Sequence, residues 1–351
     1  MIKPLTSLRF FFAFFVFLSH LSFLKDSKFC NIFDNIFSEG FLGVSFFFIL
    51  SGFILALNYK DKIINKKISL RNFYIARVAR IYPLHLFTLL LSIPFFYKSL
   101  SVLLLNFFLM QSYFPKQNIF FSYNAPSWSI SSEFFFYALF PLLIFIFAKI
   151  NYLTKIFTFF VFTSAIILLN ILLPENKVHY WVYISPFTRI FDFILGIFLF
   201  ELFILFKNKK LTHNYNGSNI FEVISLFTLL LFFLLKDYFP VNFIYSIYYW
   251  IPMCLIIFSF ALSFLNIKEK NTIFNLLSHR GFVYLGEISF AFYLLHYIVI
   301  DFIIKINELV ITPFAQEFLP LLIFPITLIL SVLAFEKIEK PFNKKIKNLL
   351  A

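Results

Sequence analysis

Apolar runs long enough to span a bilayer recur along the chain, at 5–24, 40–58, 72–97, 128–148, 155–173, 189–206, 219–235, 244–265, 282–304 and 317–336. A helix needs about twenty apolar residues to cross the hydrocarbon. The pattern therefore predicts an all-α, polytopic membrane protein of about ten transmembrane helices. An eleventh run, 101–112, would make only about 18 Å of helix. That is too short to cross and predicts a re-entrant or interfacial segment. The longest polar stretches, 207–218, 266–281 and 337–351, read as cytoplasmic loops and a tail. No repeat or low-complexity linker divides the chain, so residues 1–351 read as a single membrane domain.

Composition agrees with this. The chain is 61% hydrophobic and 13% charged, with mean hydropathy +0.88, which excludes a soluble enzyme with a large core. Its 60 phenylalanines read as the codon bias of an AT-rich genome, not as an aromatic cofactor site. The 30 basic residues against 17 acidic ones, net +13, would suggest nucleic acid in a soluble protein. Here the bases lie in loops, and no nucleic-acid partner is expected. With the N-terminus cytoplasmic and 101–112 not crossing, 22 of the basic residues fall inside and 8 outside. That bias predicts both termini in the cytoplasm. No small-residue cleavage site follows the first run, so it reads as an uncleaved span. Cys30 and Cys254 have neither metal-ligand spacing nor the placement of a structural disulfide.

Ionisable residues inside apolar runs need a reason. Arg9 and His20 share the first run. Their spacing of eleven residues turns about 1100°, so both leave one helix face, roughly 16 Å apart along the axis. That face offers a fixed cation near one membrane surface and a titratable base well inside, a track for an elongated anion. Arg77 and Arg80 share a face of the third helix at i, i+3. They read either as a phosphate clamp or as a snorkelling pair at the inner boundary. His85, alone in the same helix, reads as structural. The outer half holds His20, Glu133 and His296. Glu133 follows Pro126 and a Ser/Trp run, with Ser127 or Ser129 as caps, and either complements the helix dipole or acts chemically. Arg189 and Asp192, at i, i+3, read as a structural pair.

Two histidines and a carboxylate at similar depth suit removal of a proton from a hydroxyl, or transient acylation of the imidazole itself. The residues do not separate these routes. No HxxxH, CxxC, Walker, dinucleotide or GxSxG pattern occurs, and no metal is expected. Two rivals remain open at this point. A proton-coupled transporter of an anionic solute or lipid-linked saccharide lacks visible half-repeats, and only 7 glycines are present. A non-catalytic scaffold leaves the depth-sorted ionisable residues unexplained.

Seven segments in order resemble the membrane acyltransferase-3 family, bacterial enzymes that O-acylate envelope carbohydrates. They are Arg9-x10-His20, GVSFFFILSGF (43–53), RVARIYPLH (77–85), PSWSISSEFFFY (126–137), RIFDFILG (189–196), LGEISFAFYLLH (285–296) and EKIEKPF (336–342). The resemblance implies a ten-helix fold in the bacterial inner membrane and acyl transfer from acyl-CoA, most often acetyl-CoA, as co-substrate. It implies His20 as the central catalytic residue, Arg9, Arg77 and Arg80 as donor-binding residues, and Glu133 and His296 as further residues of activity. The implied partners are membrane lipid and a carbohydrate acceptor: O-antigen, lipooligosaccharide, capsule, exopolysaccharide or peptidoglycan. Ala351 follows soon after EKIEKPF, so the chain resembles the members without a fused periplasmic domain.

Overall fold

Backbone in contact with lipid must satisfy its own polar groups, and helices do so internally. Each of the ten runs accordingly contains one long helix: α1 (Lys3–Ser19), α2 (Leu42–Ile64), α3 (Leu70–Phe96), α4 (Ser127–Lys149), α5 (Tyr152–Leu172), α6 (Pro186–Asn208), α7 (Ser218–Leu235), α8 (Trp250–Leu265), α9 (Arg280–Leu309) and α10 (Leu319–Ala334). A π-type turn, Phe335–Glu339, leads into α11 (Lys340–Leu350). The computed structural model describes residues 2–208, 218–265, 272–310 and 314–350, and no strand occurs among them. The predicted loops at 207–218 and 266–281 lie partly outside the described residues, as do Lys209, Lys210, Lys268 and Lys270.

Among the described residues, seven helical stretches are long and apolar enough to cross a membrane. The protein is a multi-pass membrane protein. Its exposed surface fits that reading: Leu153, Phe157 and Ile171 on α5, and Ile220, Phe227 and Leu234 on α7, are mostly uncovered. The eleventh run forms an eight-residue helix, Leu100–Phe107, about 12 Å long and well short of the hydrocarbon thickness. Leu109 closes it with a left-handed backbone, φ 55°.

Two boundaries differ from the hydrophobic pattern. α1 stops at Ser19, and a separate 3-10 turn follows at Ser22–Asp26. Leu21 and Leu24 are apolar because they are buried, not because a helix continues through them. The eighth helix begins at Trp250, not at 244, because short turns occupy 241–249.

The chain divides into two compact units. The first comprises Met1–Leu8, Ser45–Leu70 and Phe135–Tyr284; the second comprises Arg9–Val44, Arg71–Phe134 and Leu285–Ala351. In the first unit, α2 and α6 cross backbone to backbone. A Cβ on Gly52 would overlap the Phe193 carbonyl oxygen, and one on Gly196 would overlap that of Ile49. Close approach through small residues is how helices gain packing in lipid, where apolar burial distinguishes little. The same crossing carries a buried charge pair: Arg189 Nε lies 3.0 Å from Asp192 Oδ2. Arg189 also donates to Ser45 Oγ at 2.9 Å and to the Tyr245 carbonyl at 3.1 Å. Trp250 Nε1 donates to Asp192. Asp192→Ala would leave Arg189 buried without its counter-charge, a loss of about 3–5 kcal/mol. We expect a large drop in the melting temperature of the detergent-solubilised protein.

Candidate active site

The candidate site lies within the second unit. At the end of α1 the Val16 carbonyl, left open by the helix, is met by the side chains of Ser19 and His20. His20 Nδ1 lies 2.8 Å from the Val16 carbonyl oxygen. A carbonyl only accepts, so Nδ1 carries the proton in the neutral ring and Nε2 keeps its lone pair. His20 is half-buried.

His296 is fully buried on α9. Its Nδ1 lies 3.3 Å from the Phe292 carbonyl oxygen, which selects the same tautomer. Its Nε2 lone pair therefore faces His20 Nδ1, at 3.3 Å. The ring centroids are 5.0 Å apart, and Tyr297 meets the His20 ring edge-on at 5.5 Å. Two imidazoles 276 positions apart in sequence thus form one directional pair. Phe17 and Phe292 line it.

The start of α4 supplies a polar wall. Neither Ser127 nor Ser129 caps the helix as expected. Ser127 Oγ accepts from Gln111 Nε2 at 3.2 Å, and Ser129 Oγ lies 2.8 Å from the Tyr293 hydroxyl. Both Ser129 and Tyr293 also reach the Pro126 carbonyl. Asn124 Nδ2 donates to the Leu294 carbonyl at 2.8 Å. Tyr123, just before it, holds a left-handed backbone, φ 57°, a strained state for a bulky residue. Glu133 lies half-buried on the same stretch of α4 and influences the Tyr293 hydroxyl electrostatically. The ring of Tyr293 is 5.7 Å from that of His296.

The predicted cations sit toward the start of α3. Arg80 pairs with Glu339 of the EKIEKPF segment, which Arg9 also influences. The Arg80 guanidinium carbon lies 5.6 Å from the Phe290 ring centre. Arg77 stands over Phe73 at 6.0 Å. His85 is buried, with Nε2 2.9 Å from the Asn106 carbonyl. Among the described residues, no group of three or more His, Cys, Asp or Glu could hold a metal ion.

The structure thus brings His20 to His296 and Arg80 to Glu339, with Glu133 in electrostatic reach of Tyr293 and Arg9 in that of Glu339. Reading the sequence does not single out Tyr293, which lies beside His296, or Glu339, which pairs with Arg80. The one available signal for Tyr293 is its spacing three residues before His296 on a helix. Glu339 stands inside a recognised segment with nothing in its local pattern to distinguish it from Glu336.

A multi-pass helical bundle with an imidazole pair and a polar wall enclosed between helices is the frame of a membrane-embedded enzyme. The chain belongs to the acyltransferase-3 family, whose model, described as an acyltransferase domain, matches residues 4–335. It is 29% identical to the acyltransferase MdmB of Streptomyces mycarofaciens over 327 residues, covering 86% of this chain and 79% of that protein. It is 26% identical to the O-acetyltransferase OatA of Staphylococcus aureus over 338 residues, covering 88% of this chain but only 53% of that protein. The chain therefore spans about half the length of this second relative. No solved structure matches it significantly.

Proposed function

We propose that the protein transfers an acyl group, acetyl by preference, from cytoplasmic acyl-CoA to a hydroxyl of a cell-envelope carbohydrate at the bacterial inner membrane. Both termini are then cytoplasmic. The observation that carries this reading is the directional imidazole pair, set in a chain of an acyltransferase family. His20 Nε2 takes the proton of the acceptor hydroxyl. The acceptor oxygen attacks the thioester carbonyl, the C–S bond breaks, and the departing thiolate takes the proton. While His20 is charged, its Nδ1–H points at two acceptors, the Val16 carbonyl and His296 Nε2. A neutral His296 thereby steadies the imidazolium without adding a second buried charge. This arrangement favours His20 as general base over His20 as acyl carrier, because the lone pair and the supporting acceptors already lie on opposite edges of the ring. Glu133, with Tyr293 and Ser129, orients the acceptor. Arg9, Arg77 and Arg80 hold the phosphates of the donor.

The first test compares surface glycans of wild-type and deletion strains by mass spectrometry, where a difference of one acyl group identifies both acyl and acceptor. The second measures acetyl-CoA binding to purified protein. Arg9→Gln and the Arg77→Gln/Arg80→Gln double variant should each bind at least about tenfold more weakly, as for a lost charged hydrogen bond. Wild-type affinity in both would remove the donor assignment.

A further inference from the structure

Glu339 is 1% exposed and closes the turn between α10 and α11. One carboxylate oxygen accepts from Arg80 Nη1, and Arg9 lies within electrostatic reach. The other oxygen, Oε2, is buried without a hydrogen-bond partner. A carboxylate inside a membrane protein with half its acceptor capacity idle is costly. Packing gives no reason for it. Its surroundings do: the side chain of Arg80 is 28% exposed while that of Glu339 is 2% exposed. The acid is buried, and the base it pairs with keeps part of its surface exposed.

We propose that Glu339 is the resident counter-anion of the donor site. It holds Arg80 in place while the site is empty, and it weakens the grip of the arginines on phosphate so that product CoA can leave. This rests on the donor role given above to Arg9 and Arg80. The reason is one of magnitude. The positioning that Glu339 provides is one hydrogen bond, whereas its negative charge opposes a phosphate on the same guanidinium through a poorly screened medium. The second effect is the larger, so removal of the charge should tighten anion binding.

Acyl-CoA and CoA carry the same phosphates, so both should respond alike. Glu339→Gln keeps the size of the side chain and an oxygen acceptor for Arg80. It should bind coenzyme A roughly tenfold tighter than wild type. The KM for acetyl-CoA should fall by a similar factor, and turnover should slow where release of CoA limits the rate. In the Arg80→Gln background the gain should largely vanish. If Glu339→Gln does not fold, Glu339→Asp withdraws the carboxylate by one methylene and should tighten CoA by a smaller factor.

Unchanged or weaker CoA binding in the folded variants overturns the proposal. So does an equal gain with and without Arg80. If wild type binds CoA and Arg80→Gln weakens it while Glu339→Gln does not tighten it, Glu339 alone loses its role. If Arg80→Gln leaves CoA affinity unchanged, the donor assignment of Arg80 falls first and takes the proposal with it.

Discussion

His20→Ala should lower acyl transfer by about a thousandfold while the protein remains folded, within the range for removal of a positioned general base. The fold should survive because His20 lies beyond the last residue of α1 and is half-buried. Its loss removes one of two side-chain donors to the Val16 carbonyl, which keeps Ser19 Oγ at 2.7 Å, so the cost is about 1 kcal/mol or less. His296→Gln should lose less, on the order of tenfold, since it acts through His20 and not on the acceptor. The double variant should be little worse than His20→Ala alone, because the two rings act as one unit. Purified proteins assayed for acetyl transfer, with thermal unfolding as the control for folding, decide the matter. Near wild-type turnover by folded His20→Ala would end the mechanism.

Gly52→Leu and Gly196→Val should yield no monodisperse protein in detergent. At each position the atom that an added Cβ would meet is backbone: the carbonyl of Phe193 or of Ile49. A side chain in that place has no rotamer to escape into, so α2 and α6 must separate. Separation also pulls apart Arg189 and Ser45, Arg189 and the Phe48 ring, and Phe53 from Phe203. Even Gly52→Ala should cost more than about 4 kcal/mol, beyond the 1–3 kcal/mol typical of overpacking, because backbone cannot relax as side chains do. Size-exclusion profiles and melting temperatures provide the measurement, with Phe227→Leu on the exposed face of α7 as a silent control. Well-behaved Gly52→Leu protein would mean that the helices do not cross as described.

Much of the fold is legible in the sequence because the requirements are local. Length and apolarity suffice to place α2 to α7, and the shortness of the run at 101–112 already marks it as unable to cross. Arg189 and Asp192 are legible as a pair because one helical turn brings them together. The end of α1 is not legible. Leu21 and Leu24 satisfy an apolar pattern equally well in a helix facing lipid or in a buried turn, and only neighbouring elements distinguish the two.

For the site, the chain by itself singles out Arg9, His20, Arg77, Arg80, Glu133 and His296, because charge and imidazole stand out against a 61% hydrophobic background and because ordered segments resemble one family. It leaves open which of them touch. The apposition of His20 with His296, the tie between Ser129 and Tyr293, and the pairing of Arg80 with Glu339 across 259 positions are decided by tertiary structure. The physical reason is that lipid and helix interior are alike apolar, so hydropathy encodes where a helix runs but not which face meets which neighbour. Packing of particular side chains chooses the face, and with it the direction in which the His20 lone pair points.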